Sequence, residues 1–443
     1  MDEKKAYSRE RLIVSRSTVD ICLWISRDEG NRGHPPLASD MLNKLVSLGI
    51  LGTSKGVEIK NYPSRSQGDP KVIWSFQAFS SQYRSQIDVM EVALESQVKF
   101  YPNNIEDIGL EGDLAGGPFW VLRLRARMVE CHIQSFKILL KVLVSLAPQN
   151  TIAYYDETTG KCLSIERIRD FAELKSGLPA DLVYQVHSCP MGHHRFWIKT
   201  LGLSRFGLPE VEFLDVSLSG LGRCSQLLAS CAKLLVGDWY LEPFEFFWAG
   251  NDLLLQVVPW EQYLQSKSIP VDQSTVEFRA QQNELSPSYV IVGLLPVKEH
   301  TLEYEPVHIE NCPVAMKTES HFFLSEYEQR WMKHVAQERL SDCIDLFKLN
   351  LKEGGGLHFQ LCIQEKNQPG MVEKRFYDLV DIGDKMLKIR VSGTDELHPT
   401  QKWIPFSQVI NWKVMTPSWT VTPLNVNQFF RENHLFHPKR LSA

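Results

Sequence analysis

The stretch from His193 to Asp215, HHRFWIKTLGLSRFGLPEVEFLD, most limits what this chain can become. It holds two strand-like runs on either side of a centre rich in basic residues, glycine and proline. Successive side chains of a strand point to opposite faces, so Arg195, Trp197 and Lys199 share one face and Phe196, Ile198 and Thr200 the other. Gly202 and Gly207 permit tight turns, and Pro209 restricts entry to the second run. The segment reads as a hairpin. Glu210 and Glu212 are expected to face Arg195, Lys199 or Arg205 across it, fixing a loop shape suited to recognition of a partner.

Strands interleaved with single helices surround the hairpin. Val19 to Ile25 alternates as a strand; Met41, Leu42, Leu45, Val46 and Leu48 form a helical stripe; Val72 to Phe79 reads as a strand. Phe119 to Met128 is another, with Leu122, Leu124, Ala126 and Met128 on one face and Arg123, Arg125 and Arg127 on the other. A helix from about His132 to Leu146 follows. Further on come a helix around Ser164 to Leu174, an amphipathic helix from about Leu221 to Leu235, and a hairpin of Phe244 to Trp248 with Leu253 to Val258. At 443 residues the chain exceeds one ordinary core. We expect an α+β class: an N-terminal α+β domain over 11–150, a central α+β domain over 151–264, a linker over 265–288, and a small β-rich domain with one helix over 289–443. In the last, Ser325 and Glu328 form a capping-box pair ahead of a helix carrying Tyr327, Trp331 and Val335. Ile344 to Leu351 and Leu357 to Ile363 read as strands around Gly354-Gly355-Gly356.

Composition removes several function classes. With 48 Lys and Arg against 53 Asp and Glu, the net charge of −5 does not point to nucleic acid or an anionic membrane. No run approaches the roughly 20 apolar residues of a membrane span, and the N-terminus lacks the apolar centre of a secretory signal. The expectation is a cytoplasmic protein. Nine cysteines without a C-x-x-C pair point to reduced thiols.

No motif is catalytically complete. Gly52-Thr53-Ser54-Lys55-Gly56 matches G-x-S-x-G, but a helix precedes it and a strand follows, the reverse of a nucleophile elbow. Gly109, Gly112, Gly116 and Gly117 lack the Gly-Lys-Ser/Thr ending of a phosphate loop. His187, Cys189, His193 and His194 are the one concentrated set of soft metal-ligand side chains, with no evident fourth ligand element and irregular spacing. Arg123, Arg125 and Arg127 could follow a phosphate chain, or pair with acids on neighbouring strands. Trp403, Trp412 and Trp419 could form a sugar or base platform, or fill a core.

The run Phe196 to Glu212 resembles an uncharacterised bacterial cytoplasmic family with a W-x-x-T-x-G-L-x-R-F-G-x-P-E-x-E fingerprint. The resemblance is carried by Trp197, Thr200, Gly202, Arg205, Phe206, Gly207, Pro209, Glu210 and Glu212. Phe347-Lys348-Leu349 and Val409-Ile410-Asn411-Trp412 are similar to a small YegJ-type domain, with Leu357 to Ile363 in place of that family's central tryptophan motif. Neither family has an assigned reaction. The resemblance implies an architecture, a bacterial cytoplasmic setting and, by analogy, a part in defence or immunity.

These readings converge on a non-enzymatic protein that acts through protein-protein contacts, without cofactor, nucleic acid or membrane. Its partner-binding residues would be Arg195, Trp197, Lys199, Arg205, Glu210 and Glu212, with Arg123, Arg125 and Arg127 as an anion-binding stripe. The alternative is a metal-assisted hydrolase built on His187, Cys189, His193 and His194, with Asp156 or Glu157 arriving from a neighbouring strand.

Overall fold

The structure is a computed structural model that describes residues 18–26, 35–51, 57–61, 71–78, 87–97, 104–105, 119–128, 133–237, 242–250, 253–265, 273–281, 288–297, 303–316, 325–353, 355–368, 371–391 and 401–432. It is an α+β protein with three mostly antiparallel sheets. The chain divides into two compact units, one of residues 1–172 and 178–327, the other of residues 173–177 and 328–443. The G-x-S-x-G segment at 52–56 and the glycines at 109, 112, 116 and 117 lie outside the described residues.

The first unit holds two sheets. The first sheet contains β1 (Thr18–Ser26), β2 (Ile59–Asn61), β3 (Lys71–Ala78), β4 (Ile87–Gln97), β5 (Asn104–Ile105), β6 (Phe119–Met128), β7 (Thr151–Asp156) and β8 (Lys161–Ser164), in the order β2-β3-β4-β6-β1-β7-β8-β5. Strict alternation makes it two-faced. Ile21, Leu23, Leu122, Leu124 and Ala126 are buried on one face, while Arg123 and Arg125 share the other with Cys22 and Asp20. Helices α1 (Ala38–Ser47) and α2 (Ile133–Leu146) pack on this sheet. Strands β7 and β8, which the sequence reading gives to a central domain, pair with β1 and extend the first sheet.

After α3 (Ile165–Glu173), the second sheet is built from β9 (Gln185–Gly192), β10 (Arg195–Leu201), β11 (Glu210–Ser217), β12 (Phe246–Gly250), β13 (Leu253–Pro259), β14 (Ser288–Pro296) and β15 (Tyr304–Val307). Its order is β12-β13-β14-β11-β10-β9, with β15 also paired to β14 and only the β11–β14 neighbours parallel. Helix α4 (Leu221–Val236) lies against β9, β10 and β11, burying Cys224, Leu227, Leu228, Cys231 and Leu235. Helix α5 (Trp260–Gln265) packs on β13 and β14, where Tyr263 joins a cluster of Trp197, Leu214, Val258, Val290 and Val292. The segment read as a linker carries α6 (Gln273–Gln281), with Thr275 and Arg279 buried, and then β14 in the middle of the sheet. No apolar period marks α6, because a buried charge pair between Arg279 and Glu212 holds it in place. The short α7 (Pro313–Met316) packs on α4.

The second unit takes in most of α8 (Glu326–Glu338), then α9 (Leu340–Lys352), a third sheet and α10 (Val426–Glu432). This gives it more than the one helix expected. Ile344 to Leu351 is helical, not a strand: Leu340, Cys343, Ile344 and Phe347 recur at three- and four-residue intervals and are buried together. The sheet contains β16 (His358–Gln368), β17 (Met371–Gly383), β18 (Met386–Val391), β19 (Gln401–Pro405), β20 (Val409–Met415) and β21 (Thr420–Val421), in the antiparallel order β19-β18-β17-β16-β20-β21. Trp412 closes the core and donates from Nε1 to the Ala336 carbonyl at 3.0 Å.

Candidate functional site

The fingerprint forms the hairpin β10–β11, with Lys199 opposite Glu212 in register. Its charged residues turn inward. Trp197, Lys199, Arg205, Glu210 and Glu212 are all buried, and of the six residues expected to meet a partner only Arg195 keeps substantial exposure. Buried polar groups require partners, and each of these finds one inside the protein.

Glu210 closes the loop. Its Oε1 accepts from the Gly202 and Ser204 amides, both at 2.9 Å, and its Oε2 from the Thr200 hydroxyl at 2.7 Å. Thr200 Oγ1 in turn accepts from the Val211 amide at 2.9 Å. Arg205 does not pair with Glu210 or Glu212 as expected. It reaches the end of β7, where Nη1 donates to Asp156 Oδ1 at 3.0 Å and Nη2 lies 2.8 Å from Oδ2. Nη2 also donates to the Val183 carbonyl at 2.8 Å, and the guanidinium plane lies 4.6 Å from the Phe136 ring centroid. The arginine thus joins the first sheet, α2 and the hairpin loop. Gly202 permits this approach: its φ is +108°, and a Cβ there would stand 2.7 Å from the Val183 carbonyl oxygen.

Glu212 organises the other side. Its Oε2 accepts from Trp197 Nε1 at 2.6 Å, and its Oε1 from Arg279 Nε at 3.2 Å and from Ser288 Oγ at 2.7 Å. This pair fastens α6 to the sheet. Arg279 also lies 4.1 Å from the Trp260 ring centroid, and Lys199 Nζ lies 4.3 Å from that of Trp197. Burial lowers the Lys199 pKa against the opposing pull of Cys189 and Glu212, and burial raises that of Cys189. Arg195 pairs with Asp215 at 3.1 Å and with Glu310 at 3.3 Å.

Carboxylates meet two of the three arginines of the stripe, Arg123 and Arg125. Arg123 binds Glu95 at 3.0 Å, Asp20 at 3.1 Å and Glu157, and Arg125 binds Asp20 at 2.7 Å. Burial opposes the Arg123 charge, but the bonds to Glu95 and Glu157 outweigh it and raise its pKa. The set of His187, Cys189, His193 and His194 does not converge. His187 Nε2 lies 3.0 Å from the Thr159 carbonyl, whereas His193 and His194 are exposed at the β9–β10 turn with φ of 48° and 60°. Asp156 and Glu157, the acids considered for that set, are held by Arg205 and Arg123. Among the described residues no group of three or more His, Cys, Asp or Glu is placed to hold a metal ion. The eight described cysteines are free, and no helix among the described residues is long and apolar enough to cross a membrane.

At the far edge of the same sheet the pattern reverses. Strand β12 pairs only with β13 among the described residues, leaving one backbone edge open. Phe246 is 65 % exposed and Trp248 is 48 % exposed, two residues apart on one face; Phe247 and Ala249 between and beside them are buried. Phe244, just before the strand, is 48 % exposed with a φ of 66°. A bulky side chain is strongly disfavoured in left-handed backbone. The turn is held there by the Phe244 amide donating to the Val257 carbonyl at 2.8 Å and by Gln256 Nε2 donating to the Phe244 carbonyl at 2.9 Å. Sequence reading found this hairpin but not its exposure; the signal available was the F-x-F-x-W alternation on a sheet edge.

Residues 183–292 match the family described as protein of unknown function (DUF4026), C-terminal. The matched span contains the fingerprint hairpin, α4, β12, α5 and α6. No curated protein and no solved structure matches the chain.

Proposed function

We propose that this protein acts by binding another protein, without catalysis, and that the partner adds an extended strand to the open edge of β12. The observation that carries this reading is the pair of exposed rings, Phe246 and Trp248, on a strand that among the described residues pairs only with β13, with exposed Phe244 just before it. Strand addition draws affinity from main-chain hydrogen bonds and specificity from alternate side chains, and an edge with exposed rings supplies both. Backbone strain at Phe244 supports it, because strained residues persist where surrounding structure holds them for a purpose. The buried charges of the fingerprint have a different role: they fix the sheet that presents this edge. The bacterial cytoplasmic setting and a part in defence or immunity rest on the resemblance of the fingerprint.

The test compares proteins retained by the wild-type chain with those retained by Phe246→Ser/Trp248→Ser in parallel captures. A specific partner should be lost from the variant while both proteins unfold at the same urea midpoint. Addition of the purified partner should slow amide exchange in β12. Retention by the variant, or unchanged exchange in β12, would place the interface elsewhere.

A further inference from the structure

We propose that the outward face of the third sheet binds single-stranded nucleic acid, its exposed rings stacking on bases and its basic side chains meeting phosphates. This site is in the second unit and is independent of the β12 reading. One face of the sheet is core, with Leu361, Tyr377, Leu387, Ile389, Ile404 and Trp412 buried. Alternation sends their neighbours outward: Lys374 and Phe376 on β17, Lys388 and Arg390 on β18, Trp403 on β19 and Lys413 on β20. Phe376 is 42 % exposed and Trp403 is 47 % exposed.

Both rings are presented as platforms. Trp403 lies over Gly383, where a Cβ would come within 3.1 Å of its Cζ3, so the missing side chain lets the indole rest against β17. Lys388 Nζ is 6.0 Å from the Trp403 centroid, and Lys413 Nζ is 4.6 Å from that of Phe376. Each ring therefore has a cation over it. The acids on this face are already engaged: Asp378 accepts from His358 at 2.8 Å and pairs with Arg390 at 3.5 Å, and Asp381 Oδ1 accepts the Ile382 amide at 2.8 Å.

Charge complementarity supports an anionic occupant. Residues 328–443 carry 16 Lys and Arg against 13 Asp and Glu, whereas the whole chain has 48 against 53. The nearly balanced total conceals this local excess of positive charge, so net charge alone does not point to nucleic acid. Exposed rings interleaved with cations on an open sheet match the way single strands are held, by stacking on aromatic faces along a basic track. An acidic peptide would use the cations and leave the rings idle.

Fluorescence anisotropy of a labelled 20-nucleotide oligo(dT) with the full chain tests this at low salt. Trp403→Ala and Phe376→Ala should each weaken binding about 5-fold or more, the equivalent of one base stack. Trp403→Phe should retain most of the affinity, and would carry the test if Trp403→Ala fails to fold. Lys374→Gln/Lys388→Gln/Lys413→Gln should flatten the dependence of log affinity on log salt by about 2, at roughly 0.7 for each lost phosphate contact. The proposal is overturned by absence of binding, by wild-type affinity in both alanine variants, or by a duplex that binds as tightly as the single strand. It is also overturned if polyglutamate binds with the same dependence on these residues, which would make the ligand an acidic peptide.

Discussion

The fingerprint hairpin and the edge strand β12 belong to one sheet, yet they invert the usual distribution of residue types. The hairpin encloses Arg205, Glu210 and Glu212, while β12 exposes Phe246 and Trp248. Interiors exclude charge unless it is paired, so the hairpin's charges are informative about what holds the sheet together. Surfaces tolerate single apolar residues, but aligned rings on an open edge are informative about what the sheet meets. The most distinctive sequence in this chain is thus buried in its interior, and the surface proposed for recognition lies in a stretch that reads as an ordinary hairpin.

The largest test of that comparison is Arg205→Ala. The side chains of Arg205 and Asp156 are 2 % and 0 % exposed, so removal of the guanidinium leaves a buried carboxylate without its main counter-charge. The expected loss is about 3–5 kcal/mol in urea unfolding. Arg125→Ala is the matched control: its side chain is 50 % exposed against Asp20, and its loss should cost less than about 1 kcal/mol. Equal costs would mean that the Arg205 pair is effectively solvated, and the contrast between a closed hairpin and an open edge would fail.

Gly202→Ala should come next. The new Cβ would meet the Val183 carbonyl oxygen at 2.7 Å and Thr159 Cγ2 at 2.8 Å, on a backbone already at φ +108°. A backbone carbonyl cannot swing aside as a flexible side chain can, so the hairpin must shift as a body. A cost on the order of 2–3 kcal/mol is expected from the same unfolding measurement. A neutral result would show that the loop relaxes freely and does not fix the junction with β7.

Particular residues show what the sequence made legible. The two faces of β6 were readable because alternation is a local property, and the buried stripe of α4 because its period is. The partner of Arg205 was not readable, since Asp156 is 49 residues away and the nearer Glu210 and Glu212 are chemically equivalent candidates. The place of α6 escaped for the same reason: Arg279 meets Glu212 across 67 residues, and no apolar period marks the helix. Likewise, Ile344 to Leu351 satisfies both a two-residue and a three-to-four-residue period over a short window. Only the shared burial of Cys343, Ile344 and Phe347 decides for the helix. The exposure of Trp403 and the burial of Trp412 are equally invisible in composition, because they depend on which face of the third sheet is covered.

The smallest effect, opposite in sign, is expected at Phe244. Glycine adopts a φ of 66° without a Cβ penalty, so Phe244→Gly relieves the strain of a bulky residue held in left-handed backbone. The ring is 48 % exposed, so its removal gives up part of the buried area that would offset this relief. The net gain should be at most about 1 kcal/mol, since glycine also frees the unfolded chain and gives back part of what strain relief supplies. Partner capture should fall despite the firmer fold, the combination expected when strain serves recognition. The same urea series and the same parallel captures read both quantities. A loss of more than about 1 kcal/mol would show that the Phe244 ring supports the sheet from outside, and the edge would then lose one of the two observations that mark it as a docking strand.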